Sequence, residues 1–582
     1  MQTSYDLMLT LDSLLRETAS RTEGFDEEFS PEIRPADPRF GDFQANGILP
    51  FAKKRELNPR EMAERLMETL KEDESFRMEI AGPGFLNFRF TPIFRLAWLR
   101  RFSNADHLRE AATKHEKTPC VVIDFSSPNT AKQMHVGHIR STIIGDVLAH
   151  ILAHGGYQVV RDNHVGDWGT QFGILILAIK RSEVNLGNLG PDALARLEDL
   201  YREGTELVRE KDSLREEARA ELVKLQNGDA ENLSIWEKVN AVSHTSFKEI
   251  YDLLGVRFDE TLGESFYRDK VEPVYDDLNR HDICEKSEGA LVVFHPEHKR
   301  FAKQPFIIRK SDGASNYATT DLATVRHRTE TMGAEEILYV TDSRQQDHFE
   351  QLFLTVEKWY AAEGKSLPNL RHVCFGTILG EDNKAIKTRE GQPIKLLDLL
   401  GEAVSRARAI VDEKNPELED NEKQRRAQTI GLGAVRYADL SQDRTLDYVF
   451  SWDKLLALQG NTAPYLQYAV ARIYSIFRKL DLEPEQGEEE ATPAATETEN
   501  LLARRLLYFP SVLEQTRREL KPHHLCGYLY ELATDFSSFY NADKVMVEEP
   551  DVRARRVLLC ARTLLILETG LGLLGIETLD RM

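Results

Sequence analysis

Residues 120–156 constrain the fold of this chain more than any other stretch. The run CVVIDFSS is typical of a buried parallel strand, and MHVGHIRSTIIGDVLAHILAHGG has apolar residues at helical spacing before two glycines that can end a helix. The segment that follows, YQVVRD, is again strand-like. A strand, a helix and a second strand predict a βαβ unit, which favours an α/β fold with a doubly wound, Rossmann-like parallel sheet.

The polar turn between this strand and helix has the features of a phosphate site. Loops at the carboxyl ends of parallel strands bind ligands, and a helix N-terminus favours an anion. His135 and His138 are three residues apart and should face the same way, while Gly137 leaves room for a flat ring and Lys132 adds positive charge. The turn therefore suits a nucleoside triphosphate, although HxGH alone occurs in unrelated chains.

Composition excludes several classes of protein. No run approaches the roughly 20 apolar residues of a membrane span, and the N-terminus lacks the basic start of a secretory signal, so we expect a cytoplasmic protein without a membrane partner. The 5 cysteines form no CxxC pair, which predicts reduced thiols and no zinc site. The net charge of −21 means that an RNA partner would need local basic surface.

Changes in residue pattern and composition divide the chain into three parts. Residues 1–115 predict a small α+β domain, and residues 116–425 predict the catalytic sheet with a charged helical insertion at about 183–265. Residues 426–582 predict an all-helical domain, interrupted by an acidic stretch at 481–500 that should be an exposed loop. We expect the same sheet to be completed by the later strand-like runs ALVVFHP, PFIIRK, EILYVTD and HVCFGTILG.

Several strings together carry a more specific resemblance. The strings DFSSPNTAKQMHVGHIRSTIIGD and NHVGDWGTQFG resemble the arginyl-tRNA synthetases, a class I aminoacyl-tRNA synthetase family whose first signature is HIGH. The resemblance continues through SDGASNYATTDLA, YVTDSRQQDHF, GTILGEDNKAIKTREG, LGAVRYADLSQDR, NTAPYLQYAVARI and GLGLLGIETLDRM. It implies an arginine-tRNA ligase, which activates L-arginine with ATP to arginyl-adenylate and transfers arginine to the 3′ end of tRNA(Arg) in protein synthesis.

The resemblance also implies roles for the outer domains. The N-terminal domain would bind the tRNA elbow, and the C-terminal helical domain would read the anticodon by stacking and hydrogen bonds to unstacked bases. Similar enzymes need bound tRNA even for the first step. The candidate tRNA-binding residues are Tyr465, Tyr468, Arg472, Tyr540 and Met582.

The second family signature, KMSKS, is altered in this chain. The segment Lys384-Ala385-Ile386-Lys387-Thr388 keeps two lysines and a hydroxyl. The resemblance implies that Lys384, Lys387 and Thr388 bind ATP and favours Lys387 as the catalytic lysine, while the division of roles between the lysines stays open. The expected catalytic residues are His135, His138, Lys387 and Lys132, and those for ATP are His135, Gly137, His138, Lys384, Lys387 and Thr388.

A selective arginine pocket needs a carboxylate and further acceptors or a stacking surface, because a guanidinium is a planar fork that never loses its charge. Tyr317 and Asp321 are four residues apart on a predicted helix and should share a face. By resemblance they hold the substrate side chain together with Gln345. The remaining predicted arginine-binding residues are Ser127, Asn129, Asp124 and His138.

We expect Mg²⁺ to accompany ATP as substrate, held mainly by phosphates and water, and the protein to be a monomer. Three other interpretations stay open. A small-molecule nucleotidyltransferase shares HxGH but should be a compact single domain, and a non-catalytic RNA-binding scaffold should have lost the histidines or lysines. Another class I synthetase would differ in its amino acid, and an aminoacylation assay with each amino acid separates all three.

Overall fold

The computed structural model describes residues 4–70, 73–112, 118–182, 184–187, 189–190, 192–311, 317–384, 386, 393–484 and 490–582. The N-terminal unit contains α1 (Leu7–Ala19), β1 (Ile33–Pro35), β2 (Phe43–Ala45), α2 (Ile48–Lys54), α3 (Pro59–Thr69), β3 (Phe76–Ala81), β4 (Phe85–Phe90), α4 (Pro92–Arg101) and α5 (Ala105–Ala112). Its antiparallel sheet has the order β1-β2-β4-β3. Leu7, Leu11 and Leu15 recur every four residues and are fully buried, so α1 contributes one apolar stripe to the core.

The catalytic unit begins with the βαβ unit and a helical insertion. Its first elements are β5 (Cys120–Asp124), α6 (Val136–His154), β6 (Gln158–Asp162), α7 (Thr170–Ser182), α8 (Ala193–Glu210), α9 (Asp212–Gln226) and α10 (Ala230–Leu254). Every residue of β5 is buried, as expected of a central parallel strand.

The rest of this unit returns to the sheet. It contains α11 (Glu264–Tyr267), a 3-10 turn (Arg268–Lys270), α12 (Val271–Arg280), β7 (Glu285–Ser287), β8 (Ala290–Val293), β9 (Phe306–Arg309), α13 (Tyr317–Glu330), β10 (Glu336–Tyr339), a second 3-10 turn (Ser343–Gln345), α14 (Gln346–Glu363), β11 (Asn369–His372) and β12 (Ile378–Leu379). The parallel sheet has the order β11-β10-β5-β6. Strand β10 enters beside β5, which places the loops after both strands at one edge.

The prediction that four strand-like runs complete this sheet is wrong for three of them. In HVCFGTILG only His372 lies in the sheet, at the end of β11, while Ile378–Leu379 form β12 and pair with Tyr448–Val449 instead. The runs ALVVFHP and PFIIRK lie outside the sheet entirely. They form β8 and β9, which pair antiparallel with β7 in a separate sheet. The physical reason is the turn between β7 and β8. Glu288 and Gly289 have φ of 51° and 83°, which is the left-handed pair that closes a tight hairpin and brings sequential strands together.

The C-terminal part is mainly helical. It contains α15 (Leu396–Lys414), α16 (Asp420–Leu440), β13 (Tyr448–Val449), α17 (Trp452–Leu455), α18 (Ala463–Leu480), α19 (Glu497–Leu506), α20 (Phe509–Glu519), α21 (His523–Ala542) and α22 (Pro550–Leu573). Strand β13 pairs parallel with β12, so the helical region joins the catalytic unit through a short sheet. In the described part of the chain, no helix has the length and apolarity needed to cross a membrane.

Two buried ion pairs hold α6 against α16. Arg140 of α6 lies 3.2 Å from Asp439, and Asp146 of α6 pairs with Arg436 at 2.5 Å. All four side chains are almost fully buried. Because breaking a buried pair leaves an uncompensated charge, these contacts fix the direction of α6 and hence the position of its N-terminus.

The acidic stretch differs from the exposed loop predicted for residues 481–500. Residues 485–489 lie outside the described part, but Ala491 is buried and α19 begins at Glu497. Glu499 is fully buried and forms an ion pair with Arg555, in which Glu499 Oε2 lies 2.9 Å from Arg555 Nε. At least one acidic side chain of the stretch, Glu499, therefore caps a helix and forms a buried ion pair. The composition of the segment does not reveal this.

Candidate active site

A cavity of about 650 Å³ opens at the carboxyl edge of the parallel sheet. The turn after β5, the start of α6, the loop after β6, the first turns of α11 and α13, and the loop after β10 all contribute to its walls. Ligands of open α/β sheets bind in this position. From the sequence-predicted set, the cavity lining brings together Asp124, Ser127, Asn129, Gly137, His138, Tyr317, Asp321 and Gln345.

The paired histidines form a reciprocal cap at the start of α6. His135 is the N-cap residue, and its Nδ1 accepts from the Gly137 N–H at 3.0 Å. His138 Nδ1 accepts from the His135 N–H at 3.1 Å, and the two ring centroids are 4.2 Å apart. Because each Nδ1 accepts, the ring proton lies on Nε2, which can donate to a ligand. A Cβ on Gly137 would lie 2.8 Å from the His135 ring, so this arrangement requires glycine.

Both imidazoles are neutral at physiological pH. Burial lowers the pKa of His138 to about 4, with a smaller contribution from His135. Burial likewise lowers the pKa of His135. The helix start therefore offers neutral N–H donors, in addition to the partial positive charge of the helix terminus.

A fully buried arginine organises the turn after β5. Arg328 Nη2 donates to Asp124 Oδ2 at 2.7 Å and to Asp162 Oδ2 at 2.8 Å. Burial lowers the pKa of Arg328, but the two carboxylates raise it well above its ordinary value, so the cation is retained. Asp124 Oδ1 accepts from the Ser127 hydroxyl at 2.8 Å. Asp124, predicted to assist the substrate, lines the cavity but is already paired with Arg328 and Ser127.

Strained backbone accompanies this arrangement. Ser126 and Ser127 have φ of 69° and 47°, values that side-chain-bearing residues rarely adopt. Asn129 lies against the loop after β6, where a Cβ on Gly166 would come within 2.0 Å of the Asn129 Oδ1. Such strain is concentrated at functional sites, where the surrounding structure holds it in place.

The other wall of the cavity carries two carboxyl side chains, Asp321 and Glu264. Asp321 Oδ2 lies 2.6 Å from His348 Nε2, and Asp321 shares the lining with Glu264. Burial raises the pKa of Glu264 to about 8, with help from the charges of Asp167 and Asp321. Tyr317 is 70% exposed at the first turn of α13, four residues before Asp321. The wall suits a cation that carries several hydrogen-bond donors.

Glu264 was missed by sequence reasoning. It lies in FDETLGESF among several other acids, and no spacing distinguishes it from a surface glutamate. The structure shows what places it. Asp167 accepts from the Ser265 N–H at 2.8 Å and from the Ser265 hydroxyl at 2.6 Å, which fixes the start of α11. The Trp236 indole donates to the Asp167 carbonyl at 2.7 Å.

Lys132, His135 and Lys384 lie outside the set of described residues that line the cavity. Lys132 is exposed and its Nζ lies 5.1 Å from the centroid of the Tyr201 ring. Lys384 is exposed, and its carbonyl accepts from the Gly380 N–H at 2.7 Å in the turn after β12. Lys387 and Thr388 lie outside the described residues.

Residues 394–396, after the second signature, hydrogen-bond with the first signature at the start of α6. The Val136 N–H donates to the Ile394 carbonyl at 2.9 Å, and the Leu396 N–H donates to the Met134 carbonyl at 2.9 Å. These two backbone contacts join the segment after the altered second signature to the start of α6. The described segment that begins at Pro393 is therefore held against the first signature.

Three of the predicted tRNA-binding residues lie together, and the other two pack elsewhere. The Arg472 guanidinium lies 4.8 Å from the Tyr468 ring and 5.2 Å from the Tyr540 ring, and Tyr468 is 41% exposed. Tyr465 instead packs on Tyr530, with ring centroids 5.7 Å apart. Met582 packs on an apolar cluster formed by α15, α16 and the C-terminal segment. Stacked, partly exposed rings suit unpaired bases.

Comparison with protein families gives three matches in chain order. The arginyl tRNA synthetase N terminal domain matches residues 10–90, the catalytic domain of class I (R) tRNA synthetases matches residues 102–452, and the DALR anticodon binding domain matches residues 466–582. Together the matched segments cover most of the chain.

Relatives and solved structures agree with these matches. The chain is 42% identical to the arginine–tRNA ligase of Klebsiella pneumoniae (strain 342), over 99% of this chain and 100% of the relative. It is 44% identical to that of Cellvibrio japonicus, over 93% and 94%. The Plasmodium falciparum arginyl-tRNA synthetase structure superposes with a TM-score of 0.85 at 27% identity, covering 100% of both chains. The Thermus thermophilus arginyl-tRNA synthetase, at 23% identity and a TM-score of 0.84 over 99% and 100%, shares the fold.

Proposed function

The chain belongs to the arginyl-tRNA synthetase family and is an arginine–tRNA ligase, and on this premise we propose how its residues carry the reaction. The observation that supports the assignment is the cavity with two unlike walls. His138 and Gly137, at a helix N-terminus, lie on one wall, with His135 next to them outside the lining, and Asp321 and Glu264 stand on the other. The first wall suits the phosphates and ribose of ATP, and the second suits a guanidinium.

The arginine side chain lies on the acidic wall. Asp321 and Glu264 accept from the guanidinium, Tyr317 covers it, and Gln345 supplies a further acceptor. Lysine is a poor substrate because its ammonium cannot pair with all of these acceptors. Each buried group left unpaired costs about 1–3 kcal/mol.

The amino-acid end of arginine lies against the turn after β5. Ser127 donates its proton to Asp124, so its oxygen lone pairs can accept from the substrate ammonium. Asn129 and His138 hold the carboxylate end. The buried Arg328 keeps the Asp124 carboxylate in place, so that its orientation does not depend on bound substrate.

In the first step the arginine carboxylate attacks the α-phosphorus of ATP, the bond to the β-phosphate breaks, and pyrophosphate leaves. The protein aligns the reactants and stabilises the spreading negative charge. His135 and His138 donate from Nε2 to phosphate and ribose oxygens, beside Gly137. Lys132, Lys384, Lys387 and Thr388 act on the leaving phosphates.

In the second step the terminal adenosine hydroxyl of tRNA(Arg) attacks the carbonyl of arginyl-adenylate and AMP leaves. We assign the tRNA elbow to the N-terminal unit and the anticodon to Tyr468, Arg472 and Tyr540, with Tyr465 and Met582 beside them. Mg²⁺ enters with ATP and neutralises phosphate charge. Phosphates and water would hold this ion. Among the described residues there is no group of three or more His, Cys, Asp or Glu side chains placed to hold a metal.

The direct test is aminoacylation of tRNA(Arg) by the purified full chain, with each amino acid supplied in turn. Arginine alone should be transferred, in an ATP-dependent reaction. Transfer of a different amino acid, or of none, would contradict the assignment. We further propose that the protein acts as a monomer in the cytoplasm, and sedimentation of the full chain tests the first part.

A further inference from the structure

The helical insertion contacts the loop that carries Lys132. The Lys132 ammonium lies 5.1 Å from the centroid of the Tyr201 ring, and the Gln133 Nε2 donates to Glu198 Oε2 at 3.0 Å. Both partners belong to α8. The contacted residues come two and three positions before His135, so the insertion reaches the loop immediately ahead of the paired imidazoles.

Helix α8 is a rigid platform for these contacts. Leu197 and Leu200 are fully buried in an apolar cluster with Phe172 and Ile176 of α7. Glu198 and Tyr201 are three residues apart, so both project from one face of the helix. Their positions are therefore set by the core of the insertion and not by the ligand cavity.

A second helix of the insertion holds the same loop. The Ala131 N–H donates to the Ser243 hydroxyl of α10 at 2.9 Å, and Ser243 is fully buried. Ala131 has a φ of 63°, a left-handed conformation that is unfavourable for alanine. The strained backbone directly before Lys132 is thus held by contacts from outside the parallel sheet.

We propose that Tyr201 and Glu198 are positioning residues, which hold Lys132 and its loop so that the ammonium meets the ATP phosphates. The helical insertion then sets the rate of adenylate formation without touching the reacting atoms. A free lysine side chain samples many rotamers, and the aromatic face restricts them before ATP binds. This inference rests on the role proposed above for Lys132.

The test is a double-mutant cycle between Tyr201 and Lys132 in the full chain. Arginine- and tRNA(Arg)-dependent ATP–pyrophosphate exchange is measured for the wild type, Tyr201→Leu, Tyr201→Phe, Lys132→Met and the two doubles. An exposed cation–π contact corresponds to about a two- to fivefold effect. Tyr201→Leu should lower kcat/KM for ATP by about that factor with the arginine KM unchanged, and Tyr201→Phe should restore it because the ring face is retained.

In the Lys132→Met background, Tyr201→Leu should have no further effect. The inference would be overturned if Tyr201→Leu lowered kcat/KM for ATP equally in the wild type and in Lys132→Met. It would also be overturned if Tyr201→Phe were as slow as Tyr201→Leu. Glu198→Ala should also slow exchange, whereas Glu206→Ala, an exposed glutamate on the same helix, is the matched control and should not. If the wild type itself shows no arginine-dependent exchange, the proposed function is wrong. If the wild type exchanges but the effects of Tyr201→Leu and Lys132→Met simply add, only this inference is wrong.

Discussion

The catalytic cavity and the tyrosine–arginine patch of the helical domain use charge in opposite ways. Next to the cavity, Arg328 is fully buried and pairs with Asp162 and with Asp124, which lines the cavity. In the patch, Arg472 stacks between two tyrosines, one of which is 41% exposed. Buried pairs fix a geometry because an unpaired partner is costly, whereas a half-buried cation stacked on tyrosine rings adapts at lower cost. Substitutions should therefore have large effects in the first region and small ones in the second.

The largest effect should come from Arg328→Gln. The substitution leaves Asp124 and Asp162 buried without their cation, and we expect about 3–5 kcal/mol of lost stability in the unfolding of the catalytic unit. Denaturant unfolding followed by tryptophan fluorescence measures this loss. Arg202→Gln, on the exposed side of α8, is the matched control and should change stability by no more than about 0.5 kcal/mol. A stable Arg328→Gln protein would show that the buried pairs do not organise the turn.

The second-largest effect should come from His138→Ala. It removes a neutral donor from the wall proposed to bind the ATP phosphates, and half of the reciprocal cap with His135. Loss of one preorganised donor typically lowers kcat by about 10²–10³-fold. The rate of arginine-dependent ATP–pyrophosphate exchange in the presence of tRNA(Arg) measures this effect. Unaltered turnover would exclude the role assigned to His138.

Arginine recognition should depend on pH through Glu264, whose pKa burial raises to about 8. Below this pH the group is protonated and neutral in the free protein, so guanidinium binding must release the proton. We expect kcat/KM for arginine to fall by up to about tenfold for each pH unit below 8 and to level off above it. Steady-state kinetics between pH 6 and pH 9 test this.

His348 contributes to the same pH profile, because its contact with Asp321 raises its pKa against the effect of burial. A protonated His348 competes with the guanidinium for Asp321. Glu264→Gln should lower arginine affinity and flatten the profile near pH 8, leaving only the His348 component. A variant with the wild-type profile would show that Glu264 does not titrate with arginine binding.

The smallest effect should come from Arg472→Met in the tyrosine–arginine patch. Loss of the stacked cation should raise the tRNA(Arg) KM by about two- to fivefold, as expected for an exposed cation–π contact. Exchange at saturating tRNA should keep its rate, because the cavity is unchanged. Aminoacylation at varied tRNA concentration measures the KM. An effect as large as that of His138→Ala would remove the contrast between the two regions.

Local pattern predicted much of the catalytic unit. The β5–α6–β6 unit and the paired histidines follow from residue periodicity and helix-end chemistry, which act within a few residues. The prediction failed for β8 and β9, where the left-handed turn at Glu288 and Gly289 decides pairing. A glutamate before a glycine is an inconspicuous turn signal, so the runs were placed in the wrong sheet.

The sequence by itself determined that a helix begins next to His135, that its two histidines lie close together, and which family the strings resemble. Only the tertiary structure decided that Glu264 and Asp321 line the same cavity, that Arg328 pairs with Asp124, and that Tyr201 of α8 lies near Lys132. These contacts join residues far apart in the chain. Burial and long-range charge pairing depend on how whole elements pack, and no local spacing of residue types encodes that packing.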